Sequence, residues 1–152
     1  MYRLNLPSFD IKLRKGKNGT EVFDRLRKKY LTLTPEEWVR QHFINYLITE
    51  KGYPETLMAN ETAIQLHSLS KRCDTVVYNN SLQPVVICEY KNPKIKIDQQ
   101  VFDQILRYNI VLKVKYLIVS NGINHYCCLI NHDDLSYQFL EDIPNYTIVT
   151  SS

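Results

Sequence analysis

The chain has 152 residues, of which 44% are hydrophobic and 23% charged, as expected of one folded globular domain with a sizeable core. Its formal net charge of +3 permits an anionic partner but does not require one. No apolar run reaches transmembrane length and the N-terminus lacks a signal-peptide apolar region, so we expect a reduced, cytoplasmic protein with no membrane partner. The four cysteines include no Cys-x-x-Cys pair, so we expect no zinc site.

The first predicted element is a small hairpin over about residues 9–23. Two short runs with apolar alternation flank the sequence GKNG, in which Asn18-Gly19 is the turn signal. A basic stretch follows at 25–30, and we interpret it as a solvated surface rather than as a nucleic-acid contact.

The segment 34–52 predicts a helix. Thr34 can cap it, Pro35 fits its first position and Gly52 is a natural stop. A glutamate three residues after Thr34 completes the pattern of a capping box. The inward face of this helix is predicted to consist of Val39, Phe43, Tyr46 and Leu47.

The pattern then changes to β-strands, at 57–67, 72–78 and 83–91. A second helix is predicted over 98–114, with Asp98 as its N-cap. Its apolar stripe is predicted to consist of Val101, Ile105, Tyr108 and Leu112.

Two more strands are predicted, at 115–121 and 125–131, and the segment 135–140 is either a last strand or a short helix. No internal repeat or linker divides the chain. We therefore expect one α/β domain over 1–152, with its core at about 34–131 and the N-terminal hairpin attached to it.

The turn between the second and third strands of the meander sets their register. If the loop 79–84 is centred between Ser81 and Leu82, a hairpin pairs Tyr78 with Val85, Val76 with Ile87, and Asp74 with Glu89. Opposed residues of an antiparallel pair have Cβ atoms about 5 Å apart, and like charges there destabilise the sheet. Lys91 shares the face of Glu89, because side chains alternate with period two.

A bound cation explains this pattern. Asp74 and Glu89, with the backbone carbonyl of Tyr90, are hard oxygen ligands of the kind that Mg²⁺ accepts while it keeps several waters. Lys91 would then orient a water or stabilise charge in the transition state. The alternative is an ordinary pair of opposite charges at a solvated strand end, and the spacing alone favours neither interpretation.

The order of the motifs resembles a known superfamily. Asp74, Glu89-Tyr90-Lys91 and, on the second helix, Gln104-x-x-x-Tyr108 resemble the PD-(D/E)xK nucleases and the Q-x-x-x-Y element of their RecB-like branch. The longer string from LTPEEWVRQHFINYLI to YLIVSNG looks like the N-terminal nuclease domain of type I restriction enzyme R subunits, in its small stand-alone bacterial form. One departure is Cys73, which replaces the proline of the superfamily name.

The resemblance implies a restriction-endonuclease-like core, which is a mixed central β-sheet with an antiparallel meander flanked by helices. It implies Asp74 and Glu89 as metal ligands with the Tyr90 carbonyl, Lys91 as the catalytic lysine, and Mg²⁺ or Mn²⁺ as the cofactor. Supporting roles would fall to Gln104 and Tyr108. The family's first-helix glutamate maps best to Glu37, with Glu36 and Glu61 as alternatives for the third carboxylate.

Three functions are compatible with these residues. The first is a metal-dependent nuclease that hydrolyses DNA phosphodiester bonds in restriction or DNA processing, as a homodimer or as a subunit of a restriction complex. The second is a non-catalytic module of the same fold that binds nucleic acid or a protein partner. The third is a structural domain whose charged strand end is surface decoration. The opposed carboxylates favour the first.

Overall fold

The structure is a computed structural model that describes residues 2–151. A three-stranded sheet comes first, followed by the long helix α1 (Pro35–Lys51), a single 3₁₀ turn (Glu55–Leu57) and a six-stranded sheet. Helix α2 (Gln99–Ile110) connects two strands of the second sheet, and the short α3 (Tyr146–Val149) comes last. The strands are β1 (Leu13–Gly16), β2 (Gly19–Asp24), β3 (Lys29–Thr32), β4 (Met58–Leu66), β5 (Leu69–Tyr78), β6 (Pro84–Tyr90), β7 (Tyr116–Ser120), β8 (His125–Asn131) and β9 (Ser136–Phe139).

The N-terminal sheet contains the predicted hairpin together with a strand that was not predicted. β1 and β2 are antiparallel, and Gly16 pairs with Gly19, so the two residues between them form the turn. Gly19 takes φ +112°, a conformation that glycine adopts without strain. β3 begins in the last two residues of the basic stretch, which we interpreted as surface only, and it pairs with β2.

Helix α1 begins and ends where its sequence predicts. The Thr34 hydroxyl accepts a hydrogen bond from the backbone N–H of Glu37 at 3.1 Å, and Gly52 ends the helix with φ +72°. Three of the four predicted inward residues are fully buried, and Tyr46 is half-buried against the same core.

The six-stranded sheet is mixed, as predicted. Its strands lie in chain order from β4 to β9, and every neighbouring pair is antiparallel except β6 and β7. Those two are parallel because α2 crosses from the end of one to the start of the other. The segment at 135–140 is a strand and not a helix. In the part of the chain from 2 to 151, no helix has the length and apolar character needed to cross a membrane.

Each face of this sheet is covered by one of the two long helices. Side chains of β6 alternate: Cys88 and Tyr90 belong to the core cluster that contains the buried face of α1, whereas Ile87 belongs to the cluster that contains α2. The next residues in this alternation, Glu89 and Lys91, therefore lie on the side of α2.

The register of β5 and β6 agrees with the turn-based prediction at its centre and departs from it near the turn. Val76 pairs with Ile87 as predicted. The pairing of Tyr78 with Val85 is wrong, because the register shifts after Val77 and Tyr78 pairs with Pro84. The shift lies at the turn end, so it does not reach the opposite end, where the carboxylates lie.

Helix α2 is shorter than predicted and is rotated relative to the predicted stripe. Asp98 caps it by accepting a hydrogen bond from the backbone N–H of Val101 at 2.9 Å. Tyr108 is 45% exposed, so its assignment to the apolar stripe is wrong. The buried residues of the helix follow the i, i+3, i+4, i+7 spacing of a helix that packs on a sheet, and they are Phe102, Ile105, Leu106 and Asn109.

Candidate active site

One cavity of about 370 Å³ gathers most of the predicted site residues. It lies between the middle of β5, the C-terminal end of β6 and the C-terminal half of α2. Glu37, which the resemblance assigned to the site, is not among its lining residues. The cavity is lined by Asp74, Glu89, Tyr90, Lys91, Gln104, Ile105, Tyr108 and Asn109.

The register of the two strands explains why the carboxylates lie together. Thr75 pairs with Cys88, so the next residue along each strand is Asp74 on β5 and Glu89 on β6. One oxygen of Asp74, Oδ2, accepts a hydrogen bond from the backbone N–H of Tyr90 at 2.9 Å. This bond fixes the Asp74 carboxylate beside the strand that carries Glu89.

The environment of Glu89 disfavours its charge. Burial, and then the negative charge of Asp74, raise the pKa of Glu89 above neutrality, while the Asn109 side chain has a smaller opposing effect. Within residues 2–151, the buried Oε1 atom of Glu89 has no hydrogen-bond partner. A buried acceptor without a partner normally costs about 1–3 kcal/mol, so this oxygen needs either a proton or a cation.

Lys91 faces the same cavity from the end of β6. Its backbone N–H donates to the carbonyl of Ser120 on β7 at 2.9 Å, which continues the parallel pairing one residue past β6. Among the described side chains, Lys91 has no carboxylate within ion-pair distance. Its ammonium group is therefore not neutralised by a neighbouring residue.

The two polar residues of α2 line the outer side of the cavity. Gln104 is exposed. The Tyr108 hydroxyl donates a long 3.5 Å hydrogen bond to the carbonyl of Arg72, and Lys71 Nζ lies 4.0 Å from the centre of its ring. These two side chains lie on the polar edge of α2, and Ile105 and Asn109 of its buried face line the same cavity beside them.

Glu37 is held elsewhere by an ion pair. Arg40 contacts both of its oxygens, at 2.6 Å through Nη2 and 3.0 Å through Nε, and Gln41 donates to it at 3.0 Å. Its carboxylate is therefore occupied within α1. In a full capping box the Glu37 carboxylate would accept a hydrogen bond from the backbone N–H of Thr34, and here it accepts from Arg40 and Gln41 instead. Glu36, the adjacent alternative, is exposed.

Glu61, the other alternative, lies next to Asp74. The strand pairs on either side of it, Asn60–Thr75 and Thr62–Cys73, put Glu61 opposite Asp74. Its backbone takes φ +51°, a strained conformation for a residue with a side chain.

A single guanidinium connects these groups from the α1 side of the sheet. Arg40 Nη1 donates to Glu61 Oε1 at 2.8 Å and to the backbone carbonyl of Asp74 at 2.9 Å, while its other nitrogens hold Glu37. Although burial alone opposes ionisation, the two glutamates raise the pKa of Arg40 and keep it charged. Arg40 therefore fixes the main chain at Asp74.

A buried polar chain under the site was missed by the sequence reasoning. Asp24, fully buried, accepts from the Asn60 amide at 3.0 Å, and the Thr75 hydroxyl donates to Asn60 Oδ1 at 2.6 Å. The Tyr90 hydroxyl then donates to Thr75 at 2.9 Å, and the Tyr90 N–H reaches Asp74. The available signal was the presence of polar residues at inward strand positions, since such residues need buried partners.

The donor set is compatible with a magnesium-type ion and not with a site made of many protein ligands. Among residues 2–151, no group of three or more His, Cys, Asp or Glu side chains is placed to hold a metal. Asp74 and Glu89 supply two hard oxygen donors, and Mg²⁺ is bound in many proteins by one or two carboxylates with waters completing the shell. The unpartnered buried oxygen of Glu89 is the observation that fits a cation here.

Comparisons with known proteins agree with this architecture. The chain shares its fold with a fragment assigned to an HsdR subunit of a type I restriction enzyme from Vibrio vulnificus YJ016, with a TM-score of 0.52 and 16% identity. The similarity covers 76% of this chain and 24% of the other, so this chain spans about a quarter of that length. No curated protein matches the chain. Residues 35–144 match the model of the type I restriction enzyme R protein N terminus (HSDR_N). Because this match covers most of the chain, from α1 to the end of the large sheet, the protein belongs to the type I restriction enzyme R N-terminal family.

Proposed function

We propose that the chain is a metal-dependent nuclease that hydrolyses phosphodiester bonds of DNA in the cytoplasm, in restriction or DNA processing. One observation carries the proposal. Asp74, Glu89, Lys91, Gln104 and Tyr108 line a single cavity, although they come from two strands and a helix. The membership of the R N-terminal family supports the same chemistry.

Asp74 and Glu89, with the backbone carbonyl of Tyr90, would hold Mg²⁺ or Mn²⁺. When bound, such an ion lowers the pKa of a coordinated water and polarises a phosphoryl oxygen. The protein residues prepare the site for it. The Tyr90 N–H orients one carboxylate, and the buried, unpaired oxygen of Glu89 is left for a positive ligand.

Lys91 supplies the positive charge that the reaction itself needs. In hydrolysis, a water oxygen attacks phosphorus, the bond to the leaving sugar oxygen breaks, and negative charge grows on the phosphoryl oxygens. An ammonium group without a carboxylate partner in the described structure stabilises that charge more strongly than a neutralised one. Gln104 and Tyr108 would hold a phosphate or the attacking water from the α2 side.

The substrate and assembly follow from the same proposal. DNA is the substrate, and the protein works as a subunit of a restriction complex or as a homodimer. The carboxylates leave little reason for a binding role alone, because an empty site of two neighbouring carboxylates costs stability.

The test is cleavage of supercoiled plasmid and of circular single-stranded DNA with Mg²⁺, Mn²⁺, Ca²⁺ or a chelator. We expect cleavage with Mg²⁺ or Mn²⁺, little with Ca²⁺ and none with the chelator. Asp74→Asn should abolish it, whereas Asp133→Asn, at an exposed aspartate outside the cavity, should not. If the wild-type protein binds DNA but cuts neither substrate with either metal, a non-catalytic binding module is the better description.

A further inference from the structure

The hairpin of β1 and β2 projects from the protein. We call residues 12–22 the basic ribbon. Every residue from Lys12 to Thr20 is exposed except Gly16, which is half-buried. Even Leu13, an apolar residue, is 45% exposed. Only the following residues of β2, such as the fully buried Val22, enter the core.

Positive charge is concentrated in this part of the chain. Residues 12–29 contain eight of the nineteen Lys and Arg but two of the sixteen Asp and Glu. The segment therefore has a formal charge of +6, and the rest of the chain has a charge of −3. Part of this excess is neutralised from outside the segment, since Arg25 and Lys28 pair with Glu55 and Arg27 contacts Glu37. The basic surface that is left lies on the hairpin.

Several of these cations have no acidic partner. Arg14 is paired with Glu21 at 2.7 Å and lies 3.9 Å from the centre of the Tyr30 ring. By contrast, Lys12, Lys15 and Lys17 make no ion pair with any residue from 2 to 151. Lys12 Nζ lies 5.3 Å from the centre of the Phe23 ring, but no carboxylate neutralises any of the three, so these exposed ammonium groups are available to an anionic partner.

The cations lie on both faces of the ribbon. Lys15 pairs with Thr20 and Arg14 with Glu21, so the two neighbouring cations point to opposite faces, and Lys17 is in the turn at the tip. β3 pairs with β2 only from Glu21 onwards, so the hairpin is two-stranded at its tip, which carries Lys15 and Lys17. A two-stranded tip is narrow enough to enter the major groove of B-DNA, which is about 12 Å wide, and its lysines then face the phosphates of the groove walls.

The ribbon is connected to the candidate active site by buried bonds. β2 ends at Asp24, whose carboxylate accepts from Asn60 of β4. Asn60 is bonded to Thr75, the residue next to Asp74. Buried hydrogen bonds therefore join the base of the ribbon to the strand that carries Asp74.

We propose that the basic ribbon is a DNA-binding arm that contacts the phosphate backbone of duplex DNA through Lys12, Lys15 and Lys17. The nature of the partner rests on the proposed function, since unpaired lysines favour a polyanion and DNA is the polyanion that a nuclease binds. Binding by the ribbon does not depend on cleavage. The nuclease proposal is therefore tested by cleavage with metal, and the ribbon proposal by binding without metal.

The test is equilibrium binding without metal. A fluorescent duplex of about 30 base pairs is titrated in EDTA with the full chain, at several salt concentrations from about 50 to 200 mM. The test variant is Lys12→Gln/Lys15→Gln/Lys17→Gln. The control is Lys51→Gln/Lys113→Gln/Lys115→Gln, which removes the same charge from other elements. Thermal melts check that both variants are folded.

Neutralising the ribbon should weaken binding at least about tenfold at about 100 mM salt. It should also make the slope of log Kobs against log salt less steep by about two to three, since each lost phosphate contact reduces the magnitude of that slope by about 0.9. The control should change affinity by less than about twofold. Equal losses of DNA affinity in the two variants would show a diffuse charge effect and overturn the proposal. A ribbon variant with unchanged affinity, or a wild-type protein that does not bind the duplex, would also overturn it. A parallel titration with vesicles of anionic lipid distinguishes DNA from a membrane as the partner. Ribbon-dependent binding to vesicles without binding to DNA would also overturn the proposal.

Discussion

Replacing Glu89 by glutamine is expected to stabilise the metal-free protein at neutral pH. Glutamine keeps the size of the side chain and removes its charge. In the wild-type protein, burial and the neighbouring Asp74 raise the pKa of Glu89, so the folded state resists ionisation that the unfolded state permits. Stability is therefore lost as the pH rises above the ordinary glutamate pKa of 4.5, and none is lost below it.

The size of the effect follows from this difference in pKa. Each pH unit between the unfolded and folded pKa costs about 1.4 kcal/mol, so the interval from 4.5 to 7 sets an upper limit of about 3 kcal/mol. Side-chain relaxation and water entry reduce that limit, and we expect about 1–3 kcal/mol. For a chain of this length, the melting temperature should then rise by roughly 3–10 °C.

The assay is urea unfolding at pH 4, 6 and 8 in the presence of a chelator. The difference in the free energy of unfolding between Glu89→Gln and the wild type should be near zero at pH 4 and should grow up to pH 8. Glu141→Gln, at an exposed glutamate, is the control and should show no such growth. Adding Mg²⁺ should stabilise the wild type and leave Glu89→Gln unaffected. A variant that is less stable than the wild type at pH 8, or a gap that does not depend on pH, would refute the reasoning.

Three further predictions concern the buried polar groups, each measured by urea unfolding. Asp24→Asn should destabilise the protein by about 2 kcal/mol at pH 7. Although burial opposes ionisation, hydrogen bonds from Arg27 and Asn60 lower the pKa of the Asp24 carboxyl, so the stability it contributes is lost in acid. The difference from the wild type should therefore shrink as the pH falls towards 3. A loss that persists unchanged at pH 3 would contradict this. Arg40→Met should cost about 3 kcal/mol, since the buried Glu37 carboxylate loses its 2.6 Å ion pair and keeps only the contact with Arg27 at 3.7 Å, and a neutral result would show that the ion pair with Arg40 is dispensable. Thr75→Val should cost about 1–3 kcal/mol through two broken buried bonds, and a stability equal to the wild type would mean that the polar chain contributes nothing.

Much of the site was predictable because it depends on local rules. The pairing of Val76 with Ile87 follows from the length of the turn, and once that pair is set, Asp74 and Glu89 become neighbours two residues further on. Likewise, the caps of α1 and α2 are formed by side chains within three residues of the helix starts, so the sequence alone indicates them.

The rest depends on contacts between distant segments. Tyr108 is exposed because of how α2 is rotated about its axis against the sheet. An apolar pattern in the sequence fixes that rotation only to within one residue. Glu37 lies on the α1 side of the sheet, where it is bound by Arg40, whose guanidinium also contacts Glu61 and the main chain of β5. This arrangement follows from how α1 packs on two strands, which a local pattern does not contain.

The central claim is that Lys91 and the two carboxylates form a metal-dependent phosphodiesterase centre. It is tested most directly by plasmid cleavage with Mg²⁺, comparing wild type, Lys91→Ala and Lys96→Ala, which removes an exposed lysine a few residues away. We expect Lys96→Ala to cut at the wild-type rate and Lys91→Ala to lose cleavage by at least about a hundredfold, since one positioned electrostatic group contributes about that much. If Lys91→Ala cuts as fast as the wild type, or if no form cuts at all, the centre is not catalytic and the account is wrong.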